Sequence, residues 1–140
     1  MLVPCDPRRI IAEWSSQATR HQETHVSERA PGKNYDVASI IEVARSADVW
    51  VREFTVQIGE EVPWHRHSEV RDRCYGLEGL VRVQFVNPRD SVESLLLAPG
   101  ESCDLPPGTA HRLTCAQGNR ARYLLVQTGS YDFVKVQSPE

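Results

Sequence analysis

From Tyr35 onward the apolar residues of this chain come in short runs: YDVASIIEV, DVWVREFTVQI, CYGLEGLVRVQFV, SVESLLLA, HRLTCA and RYLLVQT. Each run is rich in β-branched or aromatic side chains, and Pro and Gly interrupt the series. The turn signals GEEVP, EG, NPRD, APGE, PPG and AQGN fall in or between the runs. Many short strands with no helix between them leave an antiparallel sandwich or barrel as the economical fold. A different pattern precedes them. Residues 6–20 carry Ile10, Ile11 and Trp14 at helical spacing after Pro7, which predicts a short amphipathic helix lying on the domain.

Length and charge narrow the class further. The 140 residues suit one hydrophobic core, with 40% hydrophobic and 25% charged residues close to globular values. We divide the chain into a lead-in over 1–34, packed on the barrel, and a barrel domain over 35–136. The 16 basic and 19 acidic residues are interspersed and sum to −3, so no basic run can track a phosphate backbone and nucleic acid is not an expected partner. No apolar stretch approaches the roughly 20 residues that span a bilayer, and the segment from Met1 to Trp14 is charged where a signal peptide is apolar. The expected location is the cytoplasm, with no membrane partner. Cys5, Cys74, Cys103 and Cys115 form no Cys-x-x-Cys pair, and reduced thiols are expected there.

The segment IGEEVPWHRHSEVRDRCYGLEG carries the chemistry. Alternate residues of a strand face one side, so His65 and His67 can present two imidazoles to one pocket. After the turn SEVR, Asp72 opens the next strand and can return a carboxylate to the same place. In GESCDLPPGTAHRLTC, the rigid turn at Pro106, Pro107 and Gly108 delivers His111 at the start of another strand. Glu69 is an alternative to Asp72, more simply a solvated loop residue, and Cys74 is expected on the same interior side as Asp72. His21 and His25 lie in the polar lead-in and are set aside as surface residues.

These residues resemble the two sequence motifs of the cupin superfamily. The first reads Gly59, five residues, His65, one residue, His67, four residues, Asp72, six residues, Gly79; the second reads Gly100, five residues, Pro106, one residue, Gly108, two residues, His111, three residues, Cys115. The resemblance implies an all-β fold, a double-stranded β-helix or jelly-roll barrel, with a metal at its wide inner end. It implies one divalent ion (iron, manganese, nickel, copper or zinc) held by His65, His67 and His111. Asp72 stands where the family usually has glutamate, so it ligates directly, acts through water, or leaves three histidines; we favour ligation. Cys115 stands at an asparagine position and is expected to pack below the site.

Three imidazoles and at most one carboxylate leave coordination positions open for water, dioxygen or a bidentate substrate. The leading expectation is a metal-dependent enzyme acting on a small organic molecule, a dioxygenase ahead of an isomerase or lyase. A non-catalytic module that holds a ligand or metal is the alternative, since one fold serves both. A catalytic acid or base is not identifiable. Arg52, Tyr75, Tyr123 and Gln127 are candidates for substrate contact, subject to strand parity, and Trp64 is placed at the cavity rim or in a dimer contact. A homodimer is expected, because long apolar strands left uncovered invite aggregation.

Overall fold

A computed structural model describes residues 35–140. The lead-in, with its expected helix, His21, His25 and Cys5, lies outside the described residues. The rest is built from eight strands: β1 (Ser39–Arg45), β2 (Val49–Gln57), β3 (Glu61–Arg66), β4 (Arg71–Val86), β5 (Val92–Leu97), β6 (Ser102–Leu105), β7 (His111–Thr128) and β8 (Val134–Lys135). Among the described residues there is no helix, hence none long and apolar enough to cross a membrane.

All strand pairs are antiparallel. The order β1-β2-β7-β3-β8 makes one series, while β4 pairs β5, β6 and β7. The two long strands organise the barrel. They pair along nearly their whole length, from Arg71 opposite Thr128 to Phe85 opposite His111. Their opposite edges are shared out among the shorter strands. Register shifts between Gly76 and Val81 mark where β4 bends. Gly79 sits at this bend with φ +68°, and a Cβ there would lie 2.6 Å from the Arg120 carbonyl oxygen, so only glycine fits without displacement.

The EG and AQGN signals therefore mark bends inside β4 and β7 rather than chain reversals. The same glycines that end strands elsewhere let these two change direction while keeping their neighbours. The core follows the two-residue period. Phe54 and Val56 of β2, Cys74, Val81 and Val83 of β4, and Leu113, Cys115, Ala121, Tyr123 and Leu125 of β7 all face inward. Phe54 stacks on Tyr123, with ring centroids 5.1 Å apart.

Candidate metal centre

His65 lies near the end of β3, His67 just beyond it, Asp72 near the start of β4 and His111 at the start of β7. Their four candidate ligand atoms lie within 4.8 Å of one another, and all four residues are at most 3% exposed. A bulge sets this geometry. Val62 pairs with Leu113 and His65 with His111, so three steps along β3 match two along β7. The extra residue, at Pro63–Trp64, reverses parity and lets both Val62 and His65 face inward.

Main-chain carbonyls orient the imidazoles. His65 Nδ1 donates to the Pro63 carbonyl at 2.6 Å, His111 Nδ1 to the Thr109 carbonyl at 2.8 Å, and His67 Nδ1 to the Asp132 carbonyl at 2.5 Å. A carbonyl only accepts, so each Nδ1 carries its proton and each neutral ring keeps its Nε2 lone pair. Such outer hydrogen bonds are what fix a histidine in the tautomer that binds metal.

Those lone pairs meet a carboxylate. Asp72 Oδ2 is 3.1 Å from His111 Nε2 and 3.4 Å from His67 Nε2, while Asp72 Oδ1 accepts from Gln127 Nε2 at 2.9 Å. Gln127 Nε2 also stands 3.4 Å from His67 Nε2, and Gln127 Oε1 accepts from Arg52 Nη2 at 2.5 Å. With the Nδ1 protons in place, His111 Nε2 and Asp72 Oδ2 are two acceptors facing each other. Only a proton or a cation between them makes the contact favourable. The donor set of imidazole nitrogens and one carboxylate oxygen suits a divalent transition ion.

The electrostatics of the metal-free site agree. Burial pushes the Asp72 carboxyl upward, but a proton shared with the facing His111 and His67 rings outweighs it and holds the group well below the usual carboxylate range. Burial, aided by His111, pushes His65 down to about 3, so this ring is neutral at pH 7. Burial also lowers His67, yet the Asp72 hydrogen bond and charge outweigh it, and its pKa is raised.

The segment after β7 closes the site. Phe133 stacks on His65, with ring centroids 4.4 Å apart and planes 11° from parallel, and Tyr131 approaches His67 at 5.7 Å. Asp132 is tied down through its carboxylate, which accepts from Ser68 N at 2.8 Å and Ser68 Oγ at 2.6 Å. The space left among these side chains measures ≈ 10 Å³, room for about one ion or water. Sequence reasoning missed these three residues. Asp132 acts on His67 through a carbonyl that any residue would supply; only the aromatic pair in SYDFV was visible, and it carries no motif.

Of the expected contact residues, Arg52, Tyr123 and Gln127 line the cavity. Tyr75 is 37% exposed and points outward, because it alternates with the inward-facing Asp72 and Cys74. Glu69 is exposed, outside the cluster. Trp64 is buried rather than on the rim, and Cys115 packs in the core with its thiol donating to the Gln117 carbonyl at 3.3 Å.

Fold and site together describe an antiparallel barrel with a buried histidine and carboxylate cluster at one end. The chain belongs to the cupin family, matching its cupin domain over residues 52–127, more than half of the sequence. Solved structures share the double-stranded β-helix. An uncharacterized conserved protein with this domain from Klebsiella pneumoniae is 18% identical, with TM-score 0.62, covering 83% of this chain and 94% of the other. An oxalate oxidase is 14% identical with TM-score 0.64, covering 81% of this chain, which spans only 60% of the oxidase. The polysaccharide-assembling protein CapF from Staphylococcus aureus is 15% identical with TM-score 0.66, covering 76% of this chain and 34% of CapF. No curated protein matches the chain in sequence.

Proposed function

We propose that this protein holds one divalent metal ion through His65, His67, His111 and Asp72 and uses it on a small organic molecule, oxidation ahead of isomerisation or elimination. The observation that carries this reading is the set of three imidazoles whose Nδ1 protons are fixed by carbonyls while their other nitrogens converge around Asp72 Oδ2. An ion bound there supplies Lewis acidity and, if it is iron, copper or manganese, access to redox chemistry. The chain's own residues do the rest. Arg52, acting through Gln127, aims the Asp72 carboxylate. Phe133 and Tyr131 exclude bulk water, which strengthens every charge interaction inside. That an oxalate oxidase shares the fold supports the preference for oxidation.

A second reading, a module that holds a metal without catalysis, is favoured by the ≈ 10 Å³ cavity, which admits no organic substrate until Tyr131 or Phe133 moves. Two measurements test the readings, the first their shared premise and the second the difference between them. Elemental analysis of the protein purified without added metal is expected to find near-stoichiometric iron, manganese, nickel, copper or zinc, lost in Asp72→Ala; no metal even after loading would sink both. Azide added to the cobalt-loaded protein is expected to shift its visible spectrum, marking a position open to substrate. An unchanged spectrum would favour the holding module.

We also propose a cytoplasmic homodimer. Cys74, Cys103 and Cys115 are free thiols, which suits a reducing compartment. On β5, which pairs only with β4 among the described strands, Leu95 and Leu96 are 40% and 47% exposed. A second copy covering this edge would remove apolar surface from water. Sedimentation should give a dimer that Leu96→Glu splits; a wild-type monomer would overturn it.

A further inference from the structure

Arg52 is unusual among the arginines of the described residues. It is 6% exposed, on the inward face of β2, and it lines the same cavity as His65, His67 and Asp72. A guanidinium has five N–H donors and no acceptor. Nη2 is used on Gln127, while the buried Nε has no hydrogen-bond partner, and Arg52 forms no ion pair with any described carboxylate. Its charge is balanced only at one remove, through Gln127, by Asp72. The carboxylate that balances Arg52 is the one turned towards the imidazoles.

The other polar groups around Arg52 carry no charge to set against it. Tyr35 and Tyr131 line the cavity, and their hydroxyl oxygens accept from the guanidinium, whose charge and hydrogen bonds oppose the effect of burial on them. Tyr35 is nonetheless pushed up to about 12 by burial, so it stays neutral at pH 7. Trp50 lies against the guanidinium with CZ 3.5 Å from the ring centroid, which holds the plane in place but cannot neutralise it. Once a divalent ion is bound, the buried cluster carries net positive charge that no described side chain cancels. Leaving buried charge uncompensated is costly, and an incoming anion relieves it.

Access fits the same picture. On the far side of Gln127 and Tyr131 lies a groove of ≈ 210 Å³, lined also by Arg45, Ser46, Trp50 and Gly129. Gln127 and Tyr131 are common to both walls, and Tyr131 is 44% exposed. Rotation of the Tyr131 ring would join the groove to the cavity.

We infer that Arg52 is the anchor for a substrate carboxylate, and that the substrate is a small carboxylic acid with a second oxygen donor near enough to reach the metal centre. This rests on the metal-dependent reading above.

Glycolate and its neutral isostere glycolamide test the inference. Both are titrated calorimetrically into the zinc-loaded protein, zinc being redox-inert so that no turnover intervenes. Glycolate is expected to bind about 10- to 100-fold tighter than glycolamide, the range for a hydrogen bond to a charged group. With zinc in excess, so that wild type and variants are compared at full occupancy, Arg52→Met is expected to erase most of that ratio, with Arg52→Lys recovering part of it. A ratio near one in the wild type, or a ratio preserved in Arg52→Met, would overturn the inference, the latter because the ion alone then selects the anion. Should Arg52→Met fail to fold, the Arg52 Nε–H resonance of the wild type decides: a shift with glycolate and none with glycolamide supports the anchor, and no shift with either rejects it. Zinc content reports separately on the metal reading. Without bound zinc, a glycolate-specific Nε–H shift in the metal-free protein leaves the anchor standing while the metal reading falls.

Discussion

At the residue scale the site is a competition for protons. In the metal-free protein the Asp72 carboxylate draws a second proton onto His67, whose pKa is raised against the lowering effect of burial. A metal ion must displace that proton, so loading below the folded pKa of His67 is expected to release it, and affinity is expected to fall with acid. Calorimetry in two buffers of different ionisation enthalpy would detect the release; identical heats would contradict it. The same shifts govern stability. His65 is held down to about 3 when folded, so between pH 6.5 and 3 the unfolded chain binds the extra proton and stability falls as pH falls. His67 is raised when folded, so its contribution is complete below about pH 6.5 and is lost as pH rises through its folded value. On these two groups the metal-free protein is expected to be most stable near pH 6.5, and denaturant titrations across pH should show His67→Gln flattening chiefly the alkaline limb, with a smaller change on the acid side because His67 also helps to lower His65 and Asp72. His65, His67, Asp72 and His111 are legible in the sequence because strand alternation and a rigid Pro-Gly turn single them out and their spacing resembles the two cupin motifs. The carbonyls that set their tautomers were not legible, since a main-chain acceptor leaves no trace in residue type.

At the element scale, two bends and one bulge decide what faces the site. The bulge at Pro63–Trp64 was invisible to a simple two-residue alternation, which cannot place Val62 and His65 on one face. β7 reads in the sequence as two pieces, HRLTCA and RYLLVQT, for a related reason: a glycine at positive φ ends a strand when the chain leaves the sheet and bends it when neighbours continue the pairing, and only tertiary contacts distinguish the cases. Gly79→Ala is expected to cost at least about 1 kcal/mol, through a strained φ and the approach to the Arg120 carbonyl, readable as a lowered Tm. Gly129 is a sharper case. It has φ +117°, donates its N–H to the Asp48 carbonyl at 2.8 Å, and leaves no space for a Cβ beside the Glu69 carbonyl. Because it begins the segment bearing Tyr131 and Phe133, Gly129→Ala should speed metal loss to a chelator more than it lowers Tm. Unchanged release would show that the segment does not seal the site.

At the scale of the whole molecule, the barrel and the metal centre draw on different residues. The apolar core runs through β2, β4 and β7, and none of the four candidate ligands belongs to it. His65→Ala should thus abolish metal binding while leaving a cooperatively folding barrel, and a chelator should lower Tm without unfolding the protein at 25 °C. Collapse on metal removal, as in small domains that fold only around their ion, would mean the core is insufficient. The fold class was legible because many short strands admit few architectures; the roof over the site was not, because it depends on where the chain passes after its last long strand. That roof has a kinetic consequence. Backbone carbonyls already orient the imidazoles without an ion, so on the proposed metal-binding reading little rearrangement is expected on binding, and exchange is expected to wait on movement of Phe133 and Tyr131. An ion bound there is then expected to be retained for longer than its equilibrium affinity would suggest. The metal found after purification should accordingly record supply in the expressing cell, and growth in media enriched in manganese, iron or zinc should yield the same barrel with different occupants.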